Sequence, residues 1–103
     1  MSETTHPRVF IVDDHPLMLY GIQKVLEDRY DIIGSASEAA PAIEMILERD
    51  PDIVLLDVHF NGGGGSAVIE GVKGHNPATK FLAYTVSTSA EDVLRMFRAG
   101  VDG

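Results

Sequence analysis

The sequence contains no cysteine, which excludes disulfides and thiolate metal sites while saying nothing direct about compartment. No apolar run approaches the roughly 18 residues that a membrane span needs. The first residues, MSETTHPR, are polar and lack the charged-then-apolar layout of a signal peptide, so a cytoplasmic location is the default. Basic residues are few: the formal net charge is -8, and a chain this acidic is a poor DNA binder by itself, because DNA affinity comes mostly from cationic contacts to phosphates. Any work on DNA therefore falls to another domain. What is present is ordinary for a globular protein, with 45% hydrophobic and 23% charged residues in a chain of 103. That length suits one domain with a modest core.

Two kinds of apolar segment alternate along the chain. Short β-rich runs occur at Val9-Phe10-Ile11-Val12, Ile32-Ile33, Ile53-Val54-Leu55-Leu56 and Phe81-Leu82-Ala83-Tyr84. The first, third and fourth are almost unbroken by polar residues, as parallel strands buried on both faces require. Between them lie helical stripes. Met18, Ile22, Val25 and Leu26 make one, and Ala39, Ala42, Ile43, Ile46 and Leu47 make the next. A third helix over about Ser66 to Lys73 carries Val68, Ile69 and Val72 and is weakened by Gly71. A fourth is predicted after Thr88, whose spacing to Glu91 fits a capping box, and it stops at Gly100. Asp50-Pro51-Asp52 and Asn76-Pro77 mark helix-to-strand turns. With no internal linker and no repeat, the order β-α-β-α-β-α-β-α predicts an α/β, doubly wound parallel sheet with helices on both faces.

In such sheets ligands sit at the carboxyl ends of the strands. The residues at those ends are Asp13 and Asp14 after the first strand, Asp57 at the third and Thr85 at the fourth. Any one of these aspartates alone reads as a turn or helix cap, where Asp is common. Together they read as a site, because converging carboxylates repel one another unless a cation or protons neutralise them. Oxygen ligands in that density suit a hard divalent cation.

The stretch after Asp57, VHFNGGGGS, allows three readings: a flexible linker, a phosphate-cradling loop, or the rim of a site centred on the aspartate. Helical periodicity resumes at Val68, which excludes the linker. The glycines follow the third strand rather than the first and lack the Lys-Ser/Thr of a P-loop, which counts against a nucleotide site. His6 lies in the polar tail and His75 in a turn, and neither has zinc-ligand spacing with His15 or His59.

The segments IVDDHPLMLYGIQKVLE, PDIVLLDVHFNGGGG and FLAYTVSTSAEDVLRMFRAGVDG resemble a response-regulator receiver domain of two-component systems. The Asp-Asp-His-Pro start is similar to the NarL/FixJ subfamily, whose members usually carry a LuxR-type helix-turn-helix. The resemblance implies a flavodoxin-like fold with strand order 2-1-3-4, residues 1–7 as a tail and 8–103 as the receiver. It also implies that Asp57 is the phosphoacceptor, charged by a sensor histidine kinase. Asp14, Asp57 and the backbone carbonyl of His59 are then expected to hold Mg²⁺ or Mn²⁺, with Asp13 acting through a water. Thr85 is expected to contact the phosphoryl group, and Asn61 and Gly62 to form the rim of the site.

Implied partners are the kinase, a second copy of the chain, and DNA only through a separate C-terminal domain, with no membrane. Two departures stand out. Asn61 replaces the proline usual in the family, and the chain ends at Gly103, before the fifth strand, its lysine and the fifth helix. A truncated receiver with an open fourth-strand edge is therefore expected. The alternative is a degenerate receiver-like interaction module that works without phosphorylation.

Overall fold

A computed structural model of the chain describes residues 6–57, 65–84 and 102. Its elements run β1 (Arg8–Val12), α1 (Pro16–Leu26), β2 (Asp31–Ala36), α2 (Ala39–Arg49), β3 (Ile53–Asp57), α3 (Gly65–Lys73) and β4 (Lys80–Tyr84). The strands pair in parallel in the order β2-β1-β3-β4. This is the doubly wound arrangement expected from the alternating apolar segments. The fourth helix expected after Thr88 lies outside the described residues.

The continuous apolar run of β1 is buried on both faces, whereas β3 and β4 are buried mainly on one face and only partly covered on the other. Phe10, Val12, Val54, Leu56 and Phe81 point to one face and are buried there with Ala42 and Ile46 of α2 and Val68, Ile69 and Val72 of α3. β2 is longer than its apolar pair suggests. Ile32 and Ile33 lie within a six-residue strand whose remaining positions include Gly34 and Ser35, partly buried at the sheet edge, and the register shifts between Val9 and Phe10. Gly34 is a close-approach position: a Cβ there would lie 2.5 Å from Arg49 Nη1 and 3.0 Å from the Phe10 ring. Arg49 crosses at that point to donate to the Ile33 carbonyl at 2.8 Å.

Gly71 gains a reason the sequence does not show. A Cβ there would lie 2.8 Å from Ile43 Cδ1, so the glycine that weakens α3 as a helix also lets it pack closely on α2. The opposite face is thinner. α1 carries the expected stripe, yet none of its eleven residues is buried, and Leu17 and Val25 are 87% and 78% exposed. Together with Leu55 and Tyr84, residues of α1 line an apolar groove of about 540 Å³.

The turn aspartates at the amino ends of the strands are structural, as their type suggests. Asp50 ends α2 in the left-handed region (φ 52°), and Asp52 accepts the Arg8 backbone N–H at 2.8 Å while its own N–H donates to the Arg8 carbonyl at 2.9 Å. At the β4 edge expected to be open, Phe81 is bonded to Asp102. Asp102 donates its N–H to the Phe81 carbonyl at 2.8 Å and accepts the Phe81 N–H on its carboxylate at 2.9 Å. No helix among the described residues is long and apolar enough to cross a membrane.

Candidate metal and phosphoryl site

β1 ends at Val12, and its pairing with β2 runs one residue further, with Asp13 N–H donating to the Ala36 carbonyl at 3.1 Å. That bond fixes Asp13 at the end of the sheet, where it is 1% exposed. Its Oδ1 accepts the His15 backbone N–H at 2.8 Å, a local turn of the kind aspartate favours. Pro16 then begins α1; it lacks an N–H but occupies a first-turn position that has no helical acceptor anyway. His15 is the N-cap of α1 but makes no side-chain cap bond, because its ring turns towards the carboxylates instead.

Asp57 closes β3 and is 5% exposed. One ligand atom each from Asp13, Asp14, His15 and Asp57 lies within 4.8 Å of the others. The three aspartates named from the strand ends therefore do converge. The imidazole that joins them is a residue that spacing rules for histidine did not find. His15 Nδ1 is 2.8 Å from Asp13 Oδ1, 3.0 Å from Asp14 Oδ1 and 3.5 Å from Asp57 Oδ2. The hydrogen bond to the Asp13 carboxylate raises the His15 pKa above the ordinary 6.5, and the charges of Asp14, Asp13 and Asp57 act in the same direction against partial desolvation.

Tyr84, the last residue of β4, is the second residue that sequence reasoning missed. Its hydroxyl donates to Asp13 Oδ2. Burial, then that bond and the carboxylate charges around it, push the phenol far above its ordinary 10.0, so it stays protonated and remains a donor. Thr85, His59, Asn61 and Gly62 lie outside the described residues.

The donor set fits a hard divalent cation. Three carboxylates lie close together, two of them nearly buried, with the His15 imidazole against them. Oxygen ligands at one strand-end edge are the kind that Mg²⁺ and Mn²⁺ take, with water and phosphate oxygens filling the remaining positions. A lone imidazole among three carboxylates is poorer in nitrogen and sulfur than the usual zinc ligand sets.

Comparison with known proteins bears on the whole arrangement. A family model described as the response regulator receiver domain matches residues 9–103. The nitrate/nitrite response regulator protein NarP of Escherichia coli (strain K12) is 33% identical over 100% of this chain and 49% of its own length. A nitrate/nitrite response regulator protein homolog from Haemophilus influenzae is 31% identical over 93% of this chain and 47% of its own. The chain thus spans about half the length of the curated relatives it matches. Among solved structures, a LuxR-family two-component response regulator from Aurantimonas superposes with a TM-score of 0.86 at 29% identity, covering 96% of this chain and 72% of that one. The signal receiver domain of the putative response regulator NarL from Mycobacterium tuberculosis gives a TM-score of 0.86 at 28% identity, over 95% of this chain and 81% of that one. With strand order 2-1-3-4 and carboxylates gathered at the strand ends, the chain belongs to the response regulator receiver domains, of the type found in NarL and LuxR-family regulators.

Proposed function

We propose that Asp57 is the phosphoacceptor of this receiver and takes its phosphoryl group from a phosphohistidine of a sensor kinase. The observation that supports this most is one of position. Asp57 is a nearly buried carboxylate at the carboxyl end of a central parallel strand, within 4.8 Å of ligand atoms of Asp13 and Asp14. A carboxylate Oδ attacks phosphorus in line, the P–N bond breaks, and its electron pair returns to the donor imidazole, which is then protonated. The product is an acyl phosphate on Asp57. An ionised carboxylate has no proton to lose, so no general base is needed.

Asp14, Asp57 and the His59 backbone carbonyl hold Mg²⁺ or Mn²⁺ in this reading, with Asp13 acting through a water. A cation held there would supply positive charge to offset the negative charge of the phosphoryl oxygens. Thr85 donates its hydroxyl to a phosphoryl oxygen, and Asn61 and Gly62 shape the rim. Phosphorylation adds negative charge and acceptor oxygens at a strand end, which biases the loops around it between two arrangements. The output is control of transcription through self-association and a DNA-binding domain outside this chain, in the cytoplasm.

The test is phosphorylation with Mg²⁺ and acetyl phosphate, followed by intact-mass measurement. One phosphoryl group should add to the parent and none to Asp57→Asn. An adduct that persists in Asp57→Asn places the acceptor elsewhere.

A further inference from the structure

Asp13 is the most enclosed carboxylate of the cluster, and both of its oxygens are engaged. Oδ1 takes the His15 N–H and faces His15 Nδ1, each at 2.8 Å, while Oδ2 takes the Tyr84 hydroxyl. The two holds differ in origin. His15 follows Asp13 by two residues and turns with it, whereas Tyr84 comes from 71 residues away. The strand order puts β3 between β1 and β4, so the Tyr84 side chain reaches across the end of the phosphoacceptor strand. Two interstrand spacings, roughly 9.5 Å, separate β1 from β4. A long, stiff side chain with a neutral donor at its tip suits that span, and tyrosine is one. Tyr84 is also one of the residues, with Leu17, Met18, Ile22 and Leu55, that line the apolar groove beside α1.

We propose that Tyr84 is a positioning residue of the acidic site: its hydroxyl fixes the Asp13 carboxylate so that Oδ1 is the oxygen presented towards Asp14 and Asp57. This rests on reading the cluster as a divalent-cation site. Rotation about the bond to an aspartate carboxyl group is soft, with a broad, roughly two-fold preference. Hydrogen bonds from different elements to the two oxygens turn that soft torsion into one orientation. The oxygen on the ion side is Oδ1, which already accepts the His15 backbone N–H and shares His15 Nδ1 with Asp14 Oδ1 and Asp57 Oδ2. Residues that orient metal-site groups without binding the ion typically alter metal affinity by tenfold or more.

The experiment measures Mg²⁺ binding to the 103-residue chain by calorimetry, in a cycle of Tyr84→Phe and Asp13→Asn. Tyr84→Phe keeps the aromatic ring and removes only the donor. It should weaken Mg²⁺ binding about tenfold in the parent and cause no further loss in the Asp13→Asn background. The second readout is the carboxyl-carbon resonance of Asp13 in the ion-free protein, which should move in Tyr84→Phe while that of Asp14 holds. Unchanged affinity in the parent, an equal loss in both backgrounds, or an unmoved Asp13 resonance overturns the proposal. The site reading is tested separately, because Asp57→Asn must abolish Mg²⁺ binding whatever Tyr84 does. If the parent binds no Mg²⁺, both readings fall; if it binds and Tyr84→Phe is silent, only the role of Tyr84 falls.

Discussion

Asp57 and Tyr84, the last residues of β3 and β4, are partners in the parallel register. The acidic site is therefore anchored on sheet geometry at its centre and does not depend on a loop for the position of Asp57. Its carboxylates are close enough to repel one another when ionised, since Asp57 lies with Asp13 and Asp14 inside 4.8 Å. Neutralising Asp57 by Asn should leave the fold intact and raise the melting temperature in chelator by about 4 °C, the shift that goes with roughly 1 kcal/mol in a domain of this size. Mg²⁺ should raise the melting temperature of the parent and leave that of Asp57→Asn unmoved. A variant that melts lower than the parent in chelator contradicts the repulsion argument.

His15 should titrate above 6.5 in the ion-free protein, because the Asp13 hydrogen bond, with the surrounding carboxylate charges, favours the imidazolium. A pKa raised by folding means that the protonated form stabilises the native state. That contribution is complete below the unfolded value and fades as pH rises through the folded one. Histidine NMR titration measures this directly. Asp13→Asn should return the His15 midpoint towards its ordinary value, and Asp14→Asn should move it less.

Asp102 contributes in the opposite sense. The Phe81 backbone N–H, followed by the Lys73 ammonium 3.1 Å away, holds its carboxyl below the ordinary 3.8. Its stabilising effect is present above that value and is lost as pH falls through the lower, folded one. Asp102→Ala should cost about 1–2 kcal/mol in urea unfolding at neutral pH. Lys73→Met, which leaves the bond to Phe81 in place, should cost less than half of that. Equal costs would show that the ion pair, not the bond to the strand edge, carries the effect.

Gly71→Val should destabilise by about 2 kcal/mol, because the new side chain enters the space of Ile43 where α2 and α3 meet. Pairing it with Ile43→Ala should recover part of that loss in a double-mutant cycle, since the two changes share one volume.

The parallel sheet was legible because Val9 to Val12 and Ile53 to Leu56 are apolar without interruption, and cover on both faces, complete or partial, leaves few other options. β2 was half legible. At the sheet edge Gly34 and Ser35 are compatible with a strand, and periodicity gives them no signal. Asp13, Asp14 and Asp57 could be named because charge at the end of an apolar run is conspicuous. Tyr84 could not, because an aromatic at the end of such a run reads as core, and nothing nearby in sequence says that its hydroxyl reaches Asp13. His15 was hidden for a related reason. Its partners are carboxylates, and the pattern sought for histidine was that of zinc ligands. Both omissions concern where a side chain ends, which depends on neighbours that chain order alone does not reveal.

The uneven covering of the sheet has a kinetic consequence. α2 and α3 share one buried cluster, so their amides should open to hydrogen exchange only with the sheet itself. α1 buries none of its residues and hangs from the Asp13-Asp14-His15 turn, so its amides should exchange through a local opening at much lower free energy. That opening would start at the turn on which the acidic site is built. A cation seated among the carboxylates would then slow solvent exchange along a helix that supplies it no ligand.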